Sequence, residues 1–390
     1  MYNTINNILF INRGDILIDT NKCKTILILT AQFGAGHISA AKAIKDYILE
    51  QDNSYNVIIQ NFINASIPKM NKPMVKLYEN NTKYTPELYN YYYYLKKSFD
   101  PRYDIFHRIY TPKLSEYILE IKPDLIISTF PLAAACVHNF KEKHTEIKIP
   151  NLTVITDVVD SLEWVYSNTD MYFVASSEIK NRFVQKGINP DNIKVTGVPV
   201  NKNFYTTTKV TNPDKYRLLL LGGGRGLFDV DEDFMYWIDE FLENYKNIID
   251  VTIVTGKNYK LYEHLTEKKP LSNIKVLGFV NDMHNLIKDY DLMITKPGGA
   301  TLFEAILSQT PVIVKVPKVG QEIENARFII DKGVGIIYSD DNDLKNIFNS
   351  LASGEFDTFI SFMQNNISQF KSLINTDKIG EYILELINSK

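Results

Sequence analysis

The stretch that most constrains this chain is Lys296-Pro297-Gly298-Gly299-Ala300-Thr301-Leu302-Phe303-Glu304-Ala305, followed by Gly320-Gln321-Glu322-Ile323-Glu324-Asn325-Ala326. The apolar run Leu292-Met293-Ile294 reads as a buried strand that passes through two glycines directly into a helix. With no Cβ at Gly298 or Gly299, a phosphate can approach the backbone N–H groups of a helix N-terminus. Glu304, one turn into that helix, is an acceptor placed to hold a sugar hydroxyl. The pattern points to a nucleotide, and more narrowly to a nucleotide-sugar.

Strand and helix patterns alternate on both sides of this motif. In the first half, short apolar runs at Thr25–Leu29, Val57–Ile59, Leu125–Ile127, Leu152–Ile155 and Met171–Val174 are separated by helical patterns, the clearest at His37–Glu50. The second half repeats the scheme with Arg217–Leu221, Val251–Val254, Ile274–Leu277, Leu292–Ile294, Val312–Val316 and Val334–Ile337, with helices between them. Fully apolar strands alternating with helices imply parallel sheets covered on both faces. The expectation is an α/β chain with two Rossmann-like domains whose parallel sheets face an interdomain cleft, and a site at the carboxyl ends of both sheets. Residues 1–23 read as an N-terminal extension. Residues 24–200 form the first domain, interrupted by a Tyr- and Lys-rich insertion at about 65–119. The polar stretch 201–215 reads as a linker, and 216–390 form the second domain with C-terminal helices.

At 390 residues the chain can bury two cores. A net charge of −3 argues against a general nucleic-acid binder. Cys23 and Cys136 exclude a disulfide framework and fit a reducing cytoplasm. No apolar run approaches the ~20 residues that span a bilayer. The N-terminus lacks a basic n-region, and Ile8–Ile11 is too short for a signal sequence. Membrane contact, if made, is expected to be peripheral. The insertion is where it would occur. From Lys69 to Lys113 there are nine Lys/Arg against four Asp/Glu, a net of +5, interleaved with Tyr91, Tyr92, Tyr93 and Tyr94. Aromatic and basic residues together suit an anionic membrane surface, with Tyr92, Lys96, Lys97, Arg102 and Arg108 as candidates. The alternative is an aromatic helix face packed on the first domain.

Phe33-Gly34-Ala35-Gly36-His37 is a glycine turn between a strand and a helix. It lacks the Gly-Lys-Ser/Thr of a P-loop, and the next strand ends in Gln60 and Asn61 where a dinucleotide site would place an acid. What remains is a turn that delivers Gly36 and His37 to a helix start, whose positive end would depress the imidazole pKa and keep it a neutral base. The bland alternative is a tight turn with an incidental histidine. Val154-Ile155-Thr156-Asp157 ends a strand with a carboxylate aimed at the cleft, unless Asp157 caps the following turn. Gly222-Gly223-Gly224-Arg225-Gly226, Gly256, and Phe279 with Val280 end further strands at the same sheet edge, where backbone groups could line a diphosphate and a base. Asp289-Tyr290-Asp291 resembles a metal motif but sits at a strand entrance, so no metal is expected.

This ordered set resembles the monogalactosyldiacylglycerol-synthase and processive diacylglycerol-glucosyltransferase group of GT-B, family 28-like, glycosyltransferases. The matching stretches are Phe33–His37, Val154–Asp157 with Trp164-Val165, Val195–Val200, Leu277–Val280 with Met283, Lys296–Ala305 and Gly320–Ala326. They span roughly residues 24–340. The resemblance implies an enzyme that transfers a hexose, glucose or galactose, from a UDP-sugar to diacylglycerol or a glycosyl-diacylglycerol. Transfer would proceed with inversion and without a bound cofactor, on the inner face of the cell membrane. Gly298 and Gly299 would then approach the diphosphate, with Lys296 and Thr301 nearby, and Glu304 would hold the ribose. Gln321 and Glu322 would touch the donor sugar, with Asn325 beside them. Phe279 and Val280 would flank the uracil, and His37 would lie at the reacting centre or toward the acceptor, the first choice of general base, with Asp157 second or as the group that orients it. Two positions depart from the relatives, both in the acceptor half. Val158-Val159-Asp160-Ser161 carries no histidine, and no acid follows Val57–Ile59. A UDP-sugar epimerase of the same architecture, a transferase with another acceptor, and a non-catalytic UDP-sugar binder remain open alternatives.

Overall fold

A computed structural model of the chain describes residues 23–33, 35–85, 87, 90, 91, 94, 105–206, 215–223 and 232–389. The extension before residue 23 and the middle of the linker, 207–214, lie outside the described residues.

Two six-stranded parallel sheets form the framework. The first contains β1 (Thr25–Thr30), β2 (Asn56–Asn61), β3 (Leu125–Ser128), β4 (Asn151–Val154), β5 (Met171–Val174) and β6 (Ile193–Val195), in the order β2-β1-β3-β4-β5-β6. The second contains β7 (Tyr216–Leu221), β8 (Ile249–Val254), β9 (Lys275–Leu277), β10 (Leu292–Thr295), β11 (Val312–Lys315) and β12 (Gly335–Tyr338), in the order β12-β11-β10-β7-β8-β9. The α/β class and the paired parallel sheets are as the alternation implies. β6 has no counterpart among the expected strands, because Lys194 interrupts its apolar run at the sheet edge.

Each strand feeds both faces of its sheet. Ile26 and Ile28 of β1 pack under the helix Gly36–Gln51, while Leu27 and Leu29 pack with Tyr110, Leu114 and Phe140 on the opposite side. A third apolar cluster runs without a break across the interface between the halves. Val198 and Val200 of the first half share it with Phe303, Ile306 and Phe370 of the second. Gly197, with φ +73°, is locked there, since a Cβ would lie 2.8 Å from the Phe303 ring.

The end of the chain differs from expectation. The final helix, Ile379–Asn388, belongs by its packing to the first half. Ile379, Ile383, Leu386 and Ile387 form one stripe buried with Ile26, Ile44, Ile48 and Phe173. The chain thus crosses between the halves twice. The second crossing is pinned beside the first, where Asn375 N–H donates to Val195 O at 2.9 Å and Thr376 Oγ1 donates to Thr196 O at 2.7 Å.

Strand order reverses between β1 and β3 in one sheet and between β7 and β10 in the other. A crevice opens at the carboxyl ends of strands at such reversals. The connections after β1, β3, β7 and β10 lead to His37, Thr129, Gly223 and Gly298 respectively, so topology delivers the glycine motifs to one place.

Candidate active site

A cavity of about 400 Å³ lies between the halves. From the first half, Gly36, His37 and Asp157 line it. From the second, Lys296, Gly298, Gly299, Thr301 and Glu304 form one wall, with Gln321 and Glu322 beside them. Gly223, Gly256, Phe279 and Val280 complete it. Residues up to 289 positions apart, Phe33 and Glu322, thus meet around one space. Gly224, Tyr92, Lys96, Lys97 and Arg102 lie outside the described residues. Arg108 falls in the helix Ile105–Ile121, its side chain also outside the description.

The helix after β10 begins at Gly299, two residues earlier than its apolar pattern suggests. Gly298, its N-cap, offers no side-chain cap, and nothing lies within 4 Å of where a Cβ would be. This is the open approach to backbone N–H groups that an anion needs. Gly299 is different. A Cβ there would sit 2.0 Å from Thr156 O and 2.9 Å from Asp157 Oδ1. Its N–H is already taken by the Asp157 carboxylate. Gly299 is therefore glycine for close contact between the halves, a second demand beside the approach to a diphosphate expected of it. Asp157 caps a helix, but the helix lies in the opposite half. Burial raises the Asp157 carboxyl to about 6, against the opposing pull of its hydrogen bonds from Asn325 and Gly299.

His37 stands in the first turn of the helix Gly36–Gln51. Its Nδ1 lies 2.9 Å from Thr129 O and 2.8 Å from Thr156 Oγ1. A carbonyl only accepts, so the proton sits on Nδ1 and Nε2 is left as the basic nitrogen. The ring also packs edge-on against Phe130, with centroids 5.1 Å apart. Burial lowers its pKa to about 4, although the bond to Thr129 pulls the other way. Loss of solvent therefore accounts for the depression expected from the helix end. Thr129 and Phe130 went unrecognised in the sequence. Their signal was position: both follow β3 directly, at the carboxyl edge where a parallel sheet places its site.

Glu304 projects from the first turns of its helix into the cavity, and burial raises its carboxyl to about 7. Phe279 is half exposed at the cavity mouth, with Lys257 Nζ 5.4 Å from its ring centroid. Asn325, expected among the donor-binding residues, is wholly buried at the contact between the halves, behind Pro297 and Asp157. Asp291 accepts from Arg217 N–H at 2.9 Å at the opposite edge of the sheet, a structural role. Among the described residues, no group of three or more His, Cys, Asp or Glu is placed to hold a metal ion. No helix among them is long and apolar enough to cross a membrane.

Comparison with known proteins follows the same division. Residues 37–200 match the family described as monogalactosyldiacylglycerol synthase, and residues 218–374 match the glycosyltransferase family 28 C-terminal domain. The processive diacylglycerol β-glucosyltransferase of Bacillus subtilis (strain 168) is 31% identical over 379 residues, covering 94% of this chain and 96% of the relative. The chain belongs to this glycosyltransferase family. Solved structures agree on the fold. Acinetobacter baumannii MurG aligns with a TM-score of 0.58 at 15% identity, over 94% of this chain and 100% of its own. The S. aureus MnaA–UDP co-structure also gives 0.58 at 15%, over 93% and 95%. As a family member the chain is a GT-B hexosyltransferase. The match residues 37–200 begin at His37, and the second match contains the whole wall from Phe279 to Glu322.

Proposed function

We propose that this enzyme transfers glucose from UDP-glucose to diacylglycerol, or to a glycosyl-diacylglycerol, with inversion at the anomeric carbon. The observation that carries the reading is one cavity with an imidazole on one wall and a helix N-terminus opened by Gly298 on the other. The similarity to a processive diacylglycerol β-glucosyltransferase supports glucose as the sugar and a lipid hydroxyl as the acceptor. UDP would lie along the second half. Phe279 and Val280 flank the base, Glu304 accepts from the ribose, and the diphosphate meets the helix N-terminus past Gly298, at the N–H groups beyond the one that Asp157 takes. Gln321 and Glu322 then face the sugar.

The acceptor hydroxyl attacks the anomeric carbon on the side opposite UDP. His37 Nε2 takes its proton as the new C–O bond forms and the bond to the diphosphate breaks. Backbone N–H groups, with Lys296 beside them, stabilise the charge that develops on the leaving UDP. An imidazole with a pKa of about 4 is a weak base in the empty site, but it is neutral at physiological pH. The diphosphate brings negative charge into the same cavity, which raises the imidazole's proton affinity when the reaction needs it.

The acceptor is membrane-borne, so the protein must reach a bilayer. The helix Asn71–Tyr84 and its flank carry Lys69, Lys72 and Lys76 with exposed Met70 and Leu77, which supports a peripheral, anionic-surface contact on the inner face of the membrane. The decisive experiment presents UDP-glucose and UDP-galactose separately with diacylglycerol vesicles and identifies the lipid product by mass spectrometry and NMR. A β-glucosyl lipid from UDP-glucose is expected. Epimerised UDP-sugar with no lipid product would refute the proposal.

A further inference from the structure

Asn325 is completely buried and commits its whole carboxamide to the contact between the halves. Its Nδ2 donates to Asp157 Oδ1 at 2.9 Å and to Pro297 O at 2.9 Å, while its Oδ1 accepts from Val158 N–H at 2.8 Å. Pro297 opens the phosphate loop. Asp157 and Val158 follow β4 in the opposite half. Asp157 in turn accepts from Gly299 N–H, two residues beyond Pro297.

The site offers one carboxylate, one carbonyl and one N–H. A carboxamide, with two N–H donors and one carbonyl, is the side chain that answers all three. Aspartate would set a second carboxylate against Asp157. Alanine would leave Pro297 O and Val158 N–H buried without partners.

We propose that Asn325 is a positioning residue for the transfer: it latches the phosphate loop to the end of β4, so that the donor wall and His37 share one fixed register, and Asp157 is its partner in the latch rather than the base. This rests on the transferase reading of the cavity. Glycine at 299 belongs to the same device, because only a residue without a Cβ lets the phosphate loop come this close to Thr156.

The test combines small-angle X-ray scattering of the ligand-free enzyme with steady-state kinetics for wild type, N325A, N325D and D157N. N325A and N325D are expected to show a larger radius of gyration as the halves part, with kcat lower by roughly 10- to 100-fold and donor KM much less changed, since a misplacement of even about 1 Å costs that much. D157N keeps an amide oxygen to accept from Asn325, so it is expected to keep the wild-type scattering profile, with kcat lowered less than in N325A. Unchanged scattering in N325A with a raised donor KM would make Asn325 a sugar contact and overturn the latch. A D157N variant with wild-type scattering and abolished turnover would make Asp157 the base and overturn its assignment. Should N325A fail to fold, D157A carries the test from the opposite half; an opened profile is expected and a closed one overturns the proposal. If wild type transfers no hexose, the functional reading fails, while the scattering comparison still decides the latch.

Discussion

At the scale of single residues, His37 and Asp157 are a pair of partly buried titratable groups with separate hydrogen-bond partners. His37 has its proton fixed on Nδ1 by Thr129 O, so Nε2 is the nitrogen available to an acceptor hydroxyl. His37→Ala should lower kcat by about 10²–10⁴-fold, the usual contribution of a general base, and leave UDP affinity by calorimetry nearly unchanged. The pH profile follows from the same group. The neutral imidazole is lost only as pH falls through about 4, so the acid limb of kcat/KM should lie near there. Measuring it in D157N removes the Asp157 titration near 6 from the same window. Glu304 has the opposite linkage. Its carboxyl is raised from 4.5 to about 7 in the folded protein, so ionising it costs stability as pH rises through that interval. Glu304→Gln should therefore match wild type in thermal denaturation at low pH and exceed it above pH 7. The gain there should be on the order of 1–2 kcal/mol, reduced from the full linkage because the group faces an open cavity. The same variant should bind UDP about 10- to 100-fold more weakly, as expected when a hydrogen bond to a charged group is lost. Both carboxylates and the histidine were legible as candidates, because residue types at strand ends advertise chemistry. The pairing of Asp157 with Asn325 was not, since the two lie 168 positions apart and only tertiary folding joins them.

At the scale of elements, the two glycines ahead of the helix Gly299–Leu307 divide the work. Gly298→Ala places a methyl in open space, so the melting temperature should hold while donor KM rises. Gly299→Ala drives a methyl to 2.0 Å from Thr156 O, so the halves must separate or the helix must shift. Scanning fluorimetry should show a clear loss of stability for Gly299→Ala alone, and kcat should fall with it. Strands such as β1 and β10 were legible because a continuous apolar run bounded by glycines or polar turns has few other solutions in an α/β chain. The start of this helix was misplaced for a related reason. Glycine has low helix propensity, so a glycine pair reads as turn, yet contact with the other half supplies the partner that makes Gly299 helical. β6 was lost because an edge strand needs no apolar run on both faces.

At the scale of the whole molecule, the final helix completes the core of a domain whose other strands lie at the opposite end of the sequence. Its stripe of Ile379, Ile383, Leu386 and Ile387 was readable as amphipathic, but periodicity does not say which core a stripe enters. Ile383→Ala should destabilise the first half by about 2–5 kcal/mol, the cost of a buried cavity of that size. Denaturant unfolding followed by a probe near β1 should detect it, with the second half affected less. The paired crossings have a mechanical consequence. Because the return segment at Asn375 and Thr376 is bonded to Val195 and Thr196 beside the outgoing one, the halves are joined by two adjacent straps on one side. Two straps side by side permit a swing about the line through them and resist sliding or twisting. In the proposed transfer, a swing of that kind would return His37 along one arc to the same place across the cavity from Gly298.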